Sequence, residues 1–324
     1  MKETLKAVES GFKAHGTGRY VQPPKTNLRK GPPGSPQASQ GLIMAMPGYL
    51  SGEPEILGLK WVLAMTENPV KYGLPRSSSL IILNDPDTGL PIVIMEGTII
   101  NATRTGAATG VGAKYLARPR ATVMGLVGAG PQGRAQVLGV AAAVSSLAEV
   151  RIFDLNAARA GALAGELMES TGLGVKVASS AREAARDADI VATATIAGEP
   201  YLEAEWLAPG AFYADVAAND ATPGVYLRAG KVITDDWEQM KRHGAGTLLE
   251  MYRRGEVGDD RIYCDFGKIV AGEKPGRERD EETIVFKHIG MAVTELPEAY
   301  RIYRNAVSRE IGTVLALWDK PIWV

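Results

Sequence analysis

Leu5, Val8 and Phe12 recur at spacings of three and four, so the chain opens with an amphipathic helix that stops near Gly16 or Gly18. The stretch from Gln22 to Gly34 is rich in proline and glycine and carries Lys25, Arg29 and Lys30; it predicts an irregular segment, either a linker or part of a binding site. From Gly41 to Glu96 the pattern changes to short β segments at Leu42 to Met46, Ile56 to Ala64, Ser79 to Leu83 and Ile92 to Met95. Asn84-Asp85-Pro86-Asp87-Thr88-Gly89 has the composition of a hairpin turn between the last two. These segments predict a small, mostly antiparallel sheet. A helix is expected from about Asn101 to Leu116, ended by Arg118-Pro119-Arg120.

Beyond Thr122, short apolar strands alternate with alanine-rich helical stretches. The strands are Val123 to Val127, Val150 to Phe153, Val175 to Ala178, Ile190 to Ala194, Ala211 to Asp215 and Lys231 to Thr234. Such alternation predicts an α/β fold, a doubly wound parallel sheet with helices on both faces, next to a smaller α+β unit formed by the first segment. Gly290 to about Trp318 reads as a helix that returns to that first unit.

Composition narrows the function. A chain of 324 residues suggests two domains, and 36 Lys plus Arg against 37 Asp plus Glu leave a formal charge of -1. Nothing in that balance draws the molecule to nucleic acid or to an anionic membrane. The single cysteine, Cys264, excludes an intramolecular disulfide, and His15, His243 and His288 lie too far apart in sequence to suggest a metal cluster. No apolar stretch approaches the roughly 20 residues needed to span a bilayer, and the N-terminus lacks a secretory core. A cytoplasmic location is the expectation.

Gly128-Ala129-Gly130-Pro131-Gln132-Gly133 is a Gly-x-Gly-x-x-Gly placed directly after an apolar strand and opening a helix. In that context Gly128 permits a tight turn, Gly130 lets a pyrophosphate approach the backbone, and Gly133 lets helix and strand pack closely. Pro131 and Gln132 lie at the helix start beside the same phosphates. An ordinary glycine-rich turn is the bland alternative. Asp154 ends the next strand where a carboxylate accepts from the adenosine ribose, which favours NAD over NADP, with Arg159 nearby as a counter-indication; Asp154 could instead simply cap a helix. Thr193 and Thr195, at the carboxyl edge of a later strand, are candidate nicotinamide contacts or plain strand threonines.

Several separated stretches, in order along nearly the whole chain, resemble the ornithine cyclodeaminase and mu-crystallin family. They are Gly41-Leu42-Ile43-Met44-Ala45-Met46-Pro47, Gly58-Leu59-Lys60-Trp61, Ala102-Thr103-Arg104-Thr105-Gly106-Ala107-Ala108-Thr109, Ala113-Lys114-Tyr115-Leu116-Ala117, the glycine loop, Pro275-Gly276-Arg277 and Thr283-Ile284-Val285-Phe286-Lys287. The resemblance implies a Rossmann domain at residues 119–290, set within a substrate-binding and dimerisation domain at 1–118 that the C-terminal helix, about 291–324, completes. It implies a homodimer, a small amino or imino acid as substrate, and NAD as cofactor.

The same resemblance implies that Lys60 and Arg104 bind the substrate carboxylate and that Lys60 polarises the reacting centre. A guanidinium grips a carboxylate through two parallel hydrogen bonds, and a desolvated lysine titrates low enough to move protons. Read from the strand alone, Lys60 could equally point to solvent. A third cation usually follows a pair of prolines; here that is Lys25, with Arg29 as competitor. Met44 stands where ornithine-processing members carry an acid, which disfavours ornithine unless another acid such as Glu96 reaches the site. The aspartate of cyclodeaminases falls on Asn219 without a gap and on Asp220 with one inserted residue. Asp220 is the candidate acid or base, a turn aspartate being the alternative. His288 is a candidate donor to the cofactor or a proton relay near neutral pH, or else a capping residue.

These readings favour an NAD-dependent reductase or dehydrogenase that moves hydride at the α-carbon of an amino or imino acid. A cyclodeaminase that uses NAD catalytically is the close alternative, and a non-catalytic nucleotide-binding accessory protein the third.

Overall fold

Strand β3 (Gly41–Leu50) folds back on β4 (Ile56–Met65) in an unbroken antiparallel register from Gly41↔Met65 to Leu50↔Ile56. In the computed structural model, which describes residues 1–31, 41–243 and 245–321, this hairpin is the centre of a six-stranded sheet. β1 (Tyr20–Val21) and β2 (Thr26–Lys30) both pair with β3, and β5 (Ser77–Asn84) and β6 (Pro91–Glu96) extend the other side, all antiparallel. Side chains of a strand alternate between faces. Met46, Val62, Ile81 and Leu83 are buried on the inner face, while Trp61, Leu80 and Ile94 stay exposed on the outer one. Lys60 lies opposite Met46 and Ile81 and so falls on the inner face, among apolar neighbours. The Ala292–Ser308 helix covers that face so closely that a Cβ on Gly48 would lie 3.0 Å from the Ala292 side chain.

The second sheet is wholly parallel. Its strands are β7 (Val123–Val127), β8 (Glu149–Phe153), β9 (Gly174–Val177), β10 (Ile190–Thr193), β11 (Phe212–Asp215), β12 (Lys231–Thr234), β13 (Ile262–Asp265) and β14 (Ile284–Lys287). Their order is β13-β12-β14-β11-β10-β7-β8-β9, so the chain reverses direction across the sheet between β7 and β10. Ligands of open α/β sheets bind outside the carboxyl ends of the strands at such a switch point. The chain is thus an α/β protein with a Rossmann-type sheet and a separate antiparallel-sheet domain.

Two of the contacts that join the sheets lie away from the cleft. Phe12 on the Lys2–Gly16 helix meets Phe266 edge-on at 4.9 Å, and Phe266 meets Phe286 of β14 at 4.7 Å. The Thr98–Leu116 helix crosses the Pro131–Ala143 helix backbone to backbone: a Cβ on Gly106 would lie 1.9 Å from the Ala135 carbonyl, and one on Gly139 1.9 Å from the Gly106 carbonyl. The first helix is the one that carries Arg104; the second begins at the glycine loop.

Three expectations need correction. Thr26–Lys30, expected to be irregular, is a strand, because Met44 and Leu42 of β3 offer it an open edge in register with Asn27 and Arg29. β14 was not foreseen and lies in the interior of the parallel sheet; all four of its residues are buried, so it has no alternation to betray it. The last helix ends at Ser308, and residues through 321 follow without regular structure. Residues 32–34 of the proline-rich stretch lie outside the described residues. No helix among the described residues is long and apolar enough to cross a membrane.

Candidate active site

The glycine loop leaves β7 in a conformation that only its glycines allow. Gly128 has φ +102°, and a Cβ there would sit 2.7 Å from the Ala194 carbonyl; a Cβ on Gly133 would sit 1.8 Å from the Gly128 carbonyl. Gly130 differs, since a Cβ there would meet nothing within 4 Å. The space beside it is therefore open to a ligand. Pro131 is the first residue of the helix, and no side chain caps its start, which leaves backbone donors for an anion. These features fit the pyrophosphate of a dinucleotide.

Asp154 follows β8 and braces the loop: its Oδ2 accepts from the Ala129 N–H at 2.8 Å and its Oδ1 from the Asn156 N–H at 2.8 Å. Each oxygen retains a lone pair for a ribose hydroxyl. Asn156, rather than Asp154, caps the next helix by accepting from the Arg159 N–H at 3.1 Å, and the Arg159 side chain is exposed. Thr193 is fully buried against the Tyr213 hydroxyl at 2.7 Å. Thr195 donates to Asp220 twice, from its N–H at 3.2 Å and from its hydroxyl. Asp220 is buried by this embrace, whereas Asn219 is half-buried and reaches only the Gly198 carbonyl at 3.4 Å.

On the inner face of the antiparallel sheet, Lys60 donates to the Asn101 Oδ1 at 3.0 Å and to the Glu295 Oε1. Arg104 reaches the same two groups: its Nη2 donates to the Asn101 Oδ1 at 3.0 Å, and its Nε forms an ion pair with the Glu295 Oε1 at 2.7 Å without hydrogen-bond alignment. The other oxygen of Glu295 is buried without a partner among the described residues. Burial pushes the Lys60 ammonium down to about 7, against the opposing pull of Glu295. Lys25, also buried, donates to the Ile289 carbonyl at 2.9 Å, and burial lowers it to about 8.

The turn after β14 joins this cluster to the parallel sheet. Asp235 accepts from the N–H groups of Ile289 at 2.9 Å and Gly290 at 2.7 Å, and burial raises its carboxyl to about 6. A Cβ on Gly290 would lie 2.5 Å from Arg104 Nη1, so the turn presses directly on the guanidinium. His288 stacks on Phe286 at 4.9 Å, and its Nε2 lies 3.2 Å from the Thr109 hydroxyl. Burial, with Arg104 and Lys287 close by, pushes the ring down to about 3. That shift favours the neutral imidazole and weighs against a proton relay there near neutral pH.

A cleft of about 260 Å³ opens at this junction, bordered by Lys25, Asn27, Met44, Lys287 and His288 among others. A larger hollow of about 460 Å³ lies elsewhere, between Lys114–Pro119 and Arg277–Asp280, and touches none of the groups above. Of the site groups above, Lys25, Lys287 and His288 line the smaller cleft, whereas Lys60, Arg104 and Glu295 are not among its lining residues. Glu96 stays outside it, exposed and accepting from the Thr98 N–H at 2.6 Å. Sequence reasoning missed Glu295, Asn101 and Asp235. Asn101 had a signal, three residues before Arg104 on one helix; Glu295 stands out as a lone acid within Met291 to Leu296; Asp235 directly follows a strand.

Comparison with known proteins agrees with this geometry. The N-((2S)-2-amino-2-carboxyethyl)-L-glutamate dehydrogenase of Staphylococcus aureus is 33% identical over 313 residues, 96% of this chain and 92% of that protein. The structure of Thermococcus litoralis Delta(1)-pyrroline-2-carboxylate reductase in complex with NADH and L-proline superposes with a TM-score of 0.89 at 33% identity, covering 97% of this chain and 96% of that one. An archaeal alanine dehydrogenase dimer with bound NAD gives a TM-score of 0.87 at 33% identity, covering 98% and 94%. The sequence pattern that unites such proteins matches residues 1–310, and the chain belongs to the ornithine cyclodeaminase/mu-crystallin family.

Proposed function

We propose that the protein is an NAD-dependent oxidoreductase that interconverts a small amino acid and its imine at the α-carbon. One observation carries this reading. Three cations, Lys25, Lys60 and Arg104, are buried within electrostatic reach of one another; Lys25 lines the cleft, and among the described residues Glu295 is the carboxylate that pairs with both Lys60 and Arg104. An unbalanced buried cation is costly, so the cluster calls for a further anion, and a substrate carboxylate supplies it.

NAD bound at Gly128–Gly133 supplies or accepts the hydride. The chain does the rest. Arg104 and Lys60 hold the carboxylate, each with its remaining donors, while Asn101 and Glu295 fix both cations from behind. Lys25 secures the 288–290 turn and adds a third positive charge. Reduction of an imine requires a proton at nitrogen, and Lys60, pushed down to about 7, can give one. Asp220, oriented by Thr195, is the second candidate for that transfer. Asp154 is assigned to the adenosine ribose, with Thr193, Thr195 and His288 toward the nicotinamide end.

Met44, where an acid would hold a distal ammonium, weighs against a cyclodeaminase, and Glu96 does not replace that acid. The test is a screen of imino acids, and of keto acids with amines, against NADH. Net loss of absorbance at the reduced nicotinamide band with turnover is expected; turnover of a diamino acid with no net change would replace this reading with the cyclodeaminase. A homodimer fits the apolar outer face, where Trp61, Leu80, Ile92 and Ile94 remain exposed. Sedimentation of the purified protein checks that point.

A further inference from the structure

The strand that sequence reasoning took for a loop places a row of polar side chains along the cleft. Asn27 and Arg29 lie two residues apart on β2 and both border it, as the two-residue period of a strand requires, and Lys25, immediately before the strand, borders it as well. Opposite them on β3, Met44 pairs with Asn27 and Leu42 with Arg29, and both of these also border the cleft. The floor is thus two parallel ladders, one polar and one apolar, running outward from the carboxylate cluster. Exposure rises along the polar ladder from buried Lys25 through half-buried Asn27 to exposed Arg29. Asn27 Oδ1 is buried without a hydrogen-bond partner, and Arg29 has no charge partner among the described residues.

The charges at the two ends differ in what they need. At the inner end, Lys25, Lys60 and Arg104 face Glu295 and Asp235, so a single α-carboxylate balances them. That leaves Arg29 unassigned at the outer end, one two-residue step of β2, ~7 Å, beyond Asn27 at about 3.3 Å per residue.

We infer that Arg29 selects a substrate whose side chain ends in a second carboxylate, so that the protein acts on amino or imino dicarboxylic acids. This rests on the oxidoreductase reading above. The methylene chain of such a substrate lies over Met44 and Leu42, the Asn27 carbonyl accepts from a donor along the chain, and the Arg29 fork pairs with the distal carboxylate. A distal ammonium would meet Arg29 as a like charge, which explains from the other direction why Met44 has no acidic counterpart.

The test compares kcat/KM for oxidation of L-glutamate and L-2-aminoadipate with that of L-glutamine and L-norvaline, using NAD and the full chain. The wild type should favour the diacids by about tenfold or more, as a charge-assisted pair at a partly open site provides. In Arg29→Gln the ratio should fall to near one through KM, and Arg29→Lys should restore part of it. A ratio unchanged in Arg29→Gln, or a wild type that favours the neutral amino acids, overturns the inference. If no amino acid turns over, the oxidoreductase reading fails first, and thermal stabilisation of the NADH complex decides on Arg29 separately. Greater stabilisation by 2-oxoglutarate than by 2-oxopentanoate, lost in Arg29→Gln, supports it; equal stabilisation by the two, or none, overturns it.

Discussion

Lys60 and Lys287 are the most deeply buried lysines among the described residues, and they do opposite things. Lys287, on β14, is matched: it lies 3.0 Å from Asp215, donates to the Ala217 carbonyl, and the Tyr226 hydroxyl donates to the same carboxylate. Lys60, on β4, shares its carboxylate with Arg104, so the two cations have one anion between them. Burial alone does not separate a brace from a binding site. The local charge balance does: a cation matched by its own carboxylate needs no further anion, whereas a cluster with surplus positive charge does.

The largest effects should therefore part along this line. Lys60→Met is expected to lower kcat/KM roughly 10³-fold while Glu295 keeps Arg104 as partner, so the denaturant midpoint stays near that of the wild type. Arg104→Lys should lose much of the substrate grip with NADH affinity nearly unchanged, as titration of cofactor fluorescence would read; equal loss of both would make Arg104 structural. Lys287→Met should do the reverse and cost about 3–5 kcal/mol in chemical denaturation, because Asp215 is left buried and unpaired. A Lys287 variant as stable as the wild type would erase the comparison.

Smaller effects sharpen it. Asp154→Ser should narrow the NAD to NADP ratio by about tenfold, since the variant removes the like charge that a 2'-phosphate meets; an unchanged ratio would detach Asp154 from the ribose. The pH dependence should carry the signature of surplus charge. Burial lowers Lys60 from 10.5 to about 7 and Lys25 to about 8, so between those values and 10.5 the unfolded chain holds protons that the folded chain has released. Stability should rise with pH across that window and fall as pH drops through 8 and 7. Substrate affinity should run the other way, with KM climbing by up to about tenfold per pH unit once Lys60 loses its proton. Stability slopes that match between Lys60→Met and the wild type would contradict this.

Much of this was visible in the residues because it depended on local period. The strand Val123–Val127, the glycine loop after it and the strand Lys231–Thr234 all obey patterns a few residues long. Lys60 illustrates the limit. Its place on a strand was legible, but the choice between solvent and core depended on which face the Ala292–Ser308 helix covers, more than 230 residues later in the chain. Glu295 was invisible for the same reason: its partners come from β4 and from the Thr98–Leu116 helix, far back in the chain. β14 escaped because a strand buried on both faces shows no alternation, and β2 because the prolines before it and the glycines and prolines after it masked five residues that pair with β3.

The glycine crossing of the Thr98–Leu116 and Pro131–Ala143 helices has a lasting effect on how such an enzyme can change. With the backbones touching at Gly106 and Gly139, the guanidinium that seizes the substrate and the loop that seats the nucleotide belong to one rigid frame. New preferences cannot readily be written there without moving both partners of the reaction. The exposed edge strand, answerable to neither, is the part of the molecule left free to learn a different side chain.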